Sequence, residues 1–220
     1  MRIVGVDDAG RGSVIGPLVI AGVLFNEEDL PMLKELGVKD SKVLSPNRRE
    51  KLAEEIRKLA LKYHVIKLQP AEIDKVVETK RKLHKLNRLE AQTMAKVIEV
   101  LKPDVAYVDA SDILEDRFKH HILECIPFTV QIVSEHKADV KYPIVSAASI
   151  IAKVERDKAI RELTSKHGEM GSGYPSDPQT MEFLENWMKK HREYPDFVRK
   201  SWKPAKRLEK QVKAKQAKLT

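Results

Sequence analysis

The sequence predicts an α/β protein: a five-stranded mixed sheet flanked by helices, followed by a helical carboxy-terminal segment. Three observations point there. Five short β-rich runs stand at residues 3–6, 17–25, 64–68, 105–109 and 128–133. The first two follow each other through a tight, glycine-containing link, which suits an antiparallel start. The later runs alternate with stretches of helical period, the pattern of parallel strands joined by crossover helices.

Ile3, Val4 and Val6 lead into Asp7-Asp8. Ala9-Gly10-Arg11-Gly12 then breaks the strand pattern, which resumes at Pro17. Glycines at positions 10, 12 and 16 permit backbone shapes that other residues resist. Residues 27–36 read as a short helix ending at Gly37. Ser45-Pro46 opens the next helix, since proline is tolerated in a first turn, and Leu52, Ile56 and Leu59 carry it to about residue 61. Beyond the strand at 64–68 and Pro70, a long helix over 83–101 carries Leu86, Leu89, Met94, Val97 and Leu101, and Lys102-Pro103-Asp104 stops it. A short buried strand at 105–109, a helix at 112–124 and a strand at 128–133 follow. Pro143 opens an Ala- and Ile-rich helix to about residue 166, and a glycine-rich loop spans 168–175. Helices from Pro178 to about 190 and from Lys203 onward complete the chain. The expected organisation is one catalytic domain over 1–166 and, over 167–220, a loop and helical segment with a basic tail.

At 220 residues the chain is long enough to bury a core without staples. A hydrophobic fraction of 42% and a charged fraction of 34% exclude disordered and fibrous classes. The single cysteine, Cys125, excludes an internal disulfide and a thiolate zinc cluster, and is expected to be a small buried apolar group. The longest apolar run, 18–25, falls well short of the ~18–20 residues that span a bilayer. The amino terminus has no secretory apolar core, so a cytoplasmic protein with no membrane association is expected. Of the formal charge of +8, +6 lies from Lys203 to Thr220, where seven basic residues face one acid, Glu209. Such a tail favours polyanions by counterion release, and equally suits a solvated helix.

Asp7-Asp8, Asp109 and Asp139 each fall at or just past the end of an expected strand. An unpaired buried charge costs several kcal/mol, so an apolar strand ending in a carboxylate is a poor choice for stability alone. Hard divalent cations such as Mg²⁺ or Mn²⁺ prefer carboxylate oxygens and relieve the repulsion between converging acids. Neighbouring strand residues point to opposite faces, so Asp7 and Asp8 serve one site only if the strand ends or twists there. Taken singly, each aspartate could instead cap a turn or helix. The histidines show no paired-ligand spacing, and Ser146 and Ser149 have no nucleophile-elbow frame.

Gly10-Arg11-Gly12 could bring amides and a guanidinium to a phosphate, or simply make a tight turn. Lys42, in Lys39-Asp40-Ser41-Lys42, adds a basic loop, and Tyr174 could stack on a sugar or base. Ser146, Ser149, Lys153 and Arg156 form one polar stripe on an otherwise apolar helix. The stripe could face nucleic acid, although the Lys153–Asp157 spacing better suits an ordinary surface ion pair.

Together these segments resemble the ribonuclease HII family, in its archaeal branch. Val6-Asp7-Asp8-Ala9-Gly10-Arg11-Gly12 with Ile15-Gly16-Pro17 resembles the family's opening signature. Asp40-Ser41-Lys42, Tyr107-Val108-Asp109, Glu135-His136-Lys137-Ala138-Asp139, Ser146 to Lys153 and Gly171 to Pro178 follow it in order. The resemblance implies a ribonuclease H-like fold and cleavage of the RNA strand of RNA/DNA hybrids. It also implies nicking of duplex DNA 5′ of an embedded ribonucleotide, leaving 5′-phosphate and 3′-hydroxyl ends. By the same resemblance Asp7, Asp8, Asp109 and Asp139 are the metal-binding acids. Gly10, Arg11 and Gly12 read the ribose 2′-hydroxyl and adjoining phosphates, and Tyr174 packs on the neighbouring sugar. Lys42, Ser146 and Ser149 are further candidates for substrate contact.

The expected chemistry is two-metal phosphodiester hydrolysis, with Asp7 bridging the ions. A monomer is expected, and a replication clamp is an unsupported partner because no clamp-binding peptide stands out near Thr220. The chain departs from the family at Asp8, where glutamate is usual. The shorter acid implies weaker or more manganese-dependent activity, because Mg²⁺ tolerates little geometric error. The alternatives are another nuclease of the same fold acting on DNA and a hybrid-binding protein that has lost turnover.

Overall fold

The computed structural model describes residues 1–38, 44–79 and 85–217. Lys42, with Asp40 and Ser41, lies outside the described residues. The strands are β1 (Arg2–Ala9), β2 (Leu18–Asn26), β3 (Lys62–Leu68), β4 (Val105–Asp109) and β5 (Gln131–Glu135), in the sheet order β3-β2-β1-β4-β5. β1 runs antiparallel to β2, from Arg2 opposite Asn26 to Ala9 opposite Val19, and parallel to β4. β4 and β5 are also parallel. The mixed five-stranded sheet expected from the sequence is the one formed.

The helices are α1 (Leu30–Glu35), α2 (Pro46–Leu59), α3 (Pro70–Val77), α4 (Lys85–Leu101), α5 (Glu115–Leu123), α6 (Ala138–Lys141), α7 (Pro143–His167), α8 (Pro178–His191) and α9 (Lys203–Ala217). Ser45 caps α2, its Oγ accepting the Arg48 N–H at 3.3 Å. α3 and the single turn α6 have no counterpart in the sequence expectations. α3 is closed by a capping box in which the Gln69 N–H donates to Glu72 Oε2 at 2.8 Å. β5 begins three residues later than expected, where the Gln131 N–H donates to the Asp104 carbonyl at 3.1 Å. Cys125 also departs from expectation: it is exposed, in the turn that closes α5. Among the described residues no helix is long and apolar enough to cross a membrane.

The chain forms two compact units. One draws on residues 1–9, 19–67 and 82–155 and holds the sheet with a core on each face. Strand alternation sorts these cores. Ile3, Val19, Ala21, Val23 and Phe25 pack with Val145, Ala148 and Ile151 of α7. Val4, Val6, Ile20 and Leu24 pack with Met94, Val97 and Ile98 of α4. Both faces being covered, β2 is buried from Leu18 to Phe25, which is why it reads as an unbroken apolar run. The other unit draws on residues 10–18, 68–81 and 156–220, and its core includes Ile15, Met170, Leu184, Met188 and Val198.

α7 approaches β1 closely at Gly5, where an added Cβ would stand 2.2 Å from the Ile144 carbonyl oxygen. That oxygen is backbone and cannot swing aside. Gly5→Ala should therefore cost about 3 kcal/mol or more in urea denaturation; an unchanged midpoint would show that α7 can retreat from the sheet.

Candidate active site

β1 and β4 are parallel neighbours with Val6 opposite Val108, so Asp7 and Asp109 follow as the next residues at the same sheet edge. The carboxyl ends of parallel strands are the usual place for ligands in α/β sheets. Alternation puts Asp7 on the face shared by Ile3 and Gly5, beneath α7. There the Ser149 hydroxyl donates to its carboxylate. Asp8 alternates to the Val4 and Val6 face and is half-exposed, yet its backbone N–H donates to Asp7 Oδ1 at 2.7 Å. The two side chains thus leave opposite faces, as strand geometry demands, but remain within electrostatic reach at the strand end.

Asp7 is 4% exposed, and its carboxyl is pushed well above the usual carboxylate range. Burial is the main cause, and the negative charges of Asp8 and Asp109 add to it. The hydrogen bonds from Ser149 and from the Asp8 amide pull the other way without reversing the shift.

Asp139 reaches the same sheet edge from β5. The chain turns through Lys137, left-handed at φ 55°, into the single turn α6. The Ala138 N–H donates to Asp109 Oδ1 at 2.7 Å, so the segment carrying Asp139 also holds Asp109. Asp139 is 4% exposed. With Ser146 it lines a cavity of about 830 Å³ that also includes Tyr107, Tyr142, Leu30 and Ile144. The loop after Asp109 is braced by Asp112, fully buried and bound by Arg117, whose Nε lies 2.9 Å from Asp112 Oδ2. The Arg117 guanidinium holds the Asp112 carboxyl well below the usual range. His136 ties this loop to the end of β5 through its Nδ1, 3.1 Å from the Ala110 carbonyl oxygen.

This all-oxygen donor set fits a hard divalent cation. A buried carboxyl whose ionisation is opposed by two neighbouring acids is what such a cation would relieve. The acids are not drawn around one point: among the described residues no three His, Cys, Asp or Glu side chains form a ready metal cage.

The other unit holds the remaining sequence candidates. In the loop after β1, Gly10 sits at φ +84°, and a Cβ there would meet the Pro17 carbonyl oxygen at 2.7 Å, so glycine is required by the fold. Gly12 differs. It is exposed, and among the described residues a Cβ there would meet nothing within 4 Å. Arg11 is half-exposed.

The glycine-rich segment bearing Tyr174, expected to be a flexible loop, is pinned. The Gly173 carbonyl accepts the amides of Val14 and Ile15 at 2.8 and 3.1 Å, and its N–H donates to Thr180 Oγ1 at 2.9 Å. The Tyr174 ring packs against the Arg156 guanidinium, 4.5 Å from its centroid. Arg156 is only 5% exposed, so this end of the polar stripe on α7 is interior. Ser146 and Ser149, each 1% exposed, are interior too. Sequence reasoning passed over three buried charged residues, Glu90, Asp112 and Arg199. The only signal for any of them was an arginine, Arg199, between Val198 and Trp202.

Replacing Asp7 by asparagine keeps an acceptor for Ser149 and the Asp8 amide but removes the buried charge. In the presence of a chelator, Asp7→Asn should raise Tm by about 2–4 °C for each kcal/mol relieved; a lower Tm would contradict electrostatic frustration at Asp7.

The ribonuclease HII family model matches residues 4–205. The chain is 49% identical to ribonuclease HII of Thermococcus onnurineus over 96% of its length and 92% of that protein. Its fold superimposes on the ribonuclease H2 of Pyrococcus horikoshii with a TM-score of 0.89 at 43% identity, covering 97% of this chain and 99% of that one. It superimposes on the ribonuclease HII of Archaeoglobus fulgidus, solved in a complex with PCNA, with a TM-score of 0.83 at 47% identity, covering 92% and 96%. A match over nearly the whole chain at these identities places it in the ribonuclease HII family of metal-dependent endoribonucleases.

Proposed function

We propose that this chain cuts the RNA strand of RNA/DNA hybrids and nicks duplex DNA on the 5′ side of an embedded ribonucleotide, leaving 5′-phosphate and 3′-hydroxyl ends. The observation that carries the proposal is Asp7, buried at the end of β1 in the field of Asp8 and Asp109. Asp7, Asp8, Asp109 and Asp139 hold the divalent ions. Bound there, two Mg²⁺ or Mn²⁺ ions supply an activated water and stabilise the leaving 3′-oxygen.

Each residue has a distinct task. Asp7, buried beside Asp8 and Asp109, would take the main share in holding the ions, with Asp109, Asp8 and Asp139 as the further ligands. Ser149 orients the Asp7 carboxylate through its hydroxyl. Ser146, beside Asp139 in the same cavity, and Lys42 are assigned to substrate contact. Gly10, Arg11 and Gly12 read the ribose, and the open side of Gly12 admits a sugar or phosphate against the main chain. Amides built to bond a 2′-hydroxyl are left unsatisfied by deoxyribose, which rejects DNA at that position. Tyr174, stiffened by Arg156, packs on the adjoining sugar.

Duplex is held chiefly through phosphates, so binding is salt-dependent and largely sequence-blind. The basic surplus of α9 contributes in part, because Lys206 is paired with Glu78 and Lys213 with Glu209. We extend PCNA-type clamp binding to this chain from the Archaeoglobus relative as a further proposal, with no residues assigned to it.

Two duplexes that differ by one ribose test the reading. In Mg²⁺ or Mn²⁺ the ribonucleotide duplex should be nicked and its all-DNA twin left intact; cutting of both would mark a DNA nuclease, and binding without a nick a protein without turnover. Asp109→Asn should lower cleavage by roughly 10²–10³ or more with hybrid binding kept, and unchanged cleavage would remove Asp109 from the site. Asp8→Glu, restoring the family's usual residue, should raise Mg²⁺-supported activity relative to Mn²⁺ several-fold, whereas a marked fall would show a backbone adapted to aspartate.

A further inference from the structure

Arg199, in the segment between α8 and α9, is fully buried. Its guanidinium is spent on main-chain carbonyls of the loop after β1. Nη2 lies 2.7 Å from the Gly10 oxygen, Nη1 2.8 Å from that of Arg11, and Nε and Nη2 each 3.2 Å from that of Gly16. Its own N–H donates to the Val14 carbonyl at 2.9 Å, and its guanidinium lies over the Trp202 ring, 5.0 Å from the centroid. The planar fork of arginine, with its donors at fixed angles, reaches all three carbonyls at once. Burying such a cation is costly unless its donors are met, and here they are met by one loop.

The consequence for that loop follows from peptide geometry. In a trans peptide the C=O and N–H of one plane point in opposite directions, and the described chain contains no cis peptide bond. The plane whose carbonyl is Gly10 carries the Arg11 N–H, and the plane whose carbonyl is Arg11 carries the Gly12 N–H. By capturing those two oxygens, Arg199 turns the Arg11 and Gly12 amides away from the interior. The amides that follow are committed inward: Ser13 to Gly10, Val14 and Ile15 to Gly173, and Gly16 to Phe197. The outward pair lies where Gly12 is exposed and has room around it.

We infer that Arg199 is the positioning residue for ribose recognition, setting the exposed Gly12 amide as the donor that meets the 2′-hydroxyl or its phosphate. The inference rests on the ribonucleotide specificity proposed above. Arg199 acts through the loop and touches no substrate, and it explains why a buried cation stands in the carboxy-terminal segment far along the chain from the glycines.

The experiment uses Arg199→Lys and Arg199→Met in the full chain. It compares equilibrium binding of the ribonucleotide duplex and its all-DNA twin in Ca²⁺, together with kcat, KM and Tm. The expected result is at least a tenfold loss of preference for the ribonucleotide duplex, with affinity for the all-DNA twin held within twofold. A lysine variant that keeps its preference within twofold of wild type overturns the inference, as does parallel weakening on both duplexes, the mark of a merely structural role. A wild-type protein with no preference overturns the functional reading instead. Should both variants fail to fold, amide exchange in the wild type decides. Gly12 should exchange at least tenfold faster than Ser13, Val14, Ile15 and Gly16, and gain protection only with the ribonucleotide duplex. Slow exchange of Gly12 in the free protein overturns the inference.

Discussion

Repulsion among carboxylates that the sheet forces together is the constraint on which the site depends. The parallel pairing of β1 with β4 brings Asp7 and Asp109 to one edge, and the turn through Lys137 adds Asp139 beside them. None of these placements is negotiable without altering the sheet register. The fold therefore carries a standing electrostatic cost at Asp7, set chiefly by burial, increased by Asp8 and Asp109, and only partly offset by two hydrogen bonds. On the proposed function a divalent cation would relieve that cost, so metal affinity and the strain of the metal-free site would share one origin.

Around the acids the protein spends buried polar contacts on orientation. Ser149 donates to Asp7, the Ala138 amide fixes Asp109, and Arg117 with Asp112 braces the loop that follows. In the other unit Arg199 performs the same service for the loop of Gly10 to Gly16. In both units, satisfied interior hydrogen bonds preset groups that carry no rigidity of their own. The glycines divide accordingly: Gly10 answers to the backbone, whereas at Gly12 a side chain would meet nothing among the described residues.

Much of this was legible in the sequence. Prolines at positions 46, 143 and 178 open helices where they were read, and the strand over 105–109 has the expected bounds. The four acids were found because charge at the end of an apolar strand violates the burial pattern. α3 was missed because its eight residues are mostly polar and charged, and α6 because a single turn carries no periodicity. β5 was placed early because Phe128 and Val130 look strand-forming, while the ladder begins only at Gln131. Arg199 and Asp112 were invisible for a different reason: a charged residue shows as buried only when its partners, distant or local, are seen in space. The polar stripe of Ser146, Ser149 and Arg156 was recognised as a stripe, but its direction, into the protein, needed the packing of α7.

The central claim is that these carboxylates exist to bind divalent ions. Anomalous diffraction from a crystal soaked in Mn²⁺ tests it without reliance on activity. The account predicts strong anomalous peaks within coordination distance, about 2.0–2.2 Å, of Asp7 and Asp109 oxygens, and their disappearance in a crystal of Asp7→Asn. A fully soaked crystal with no manganese at these side chains would contradict it.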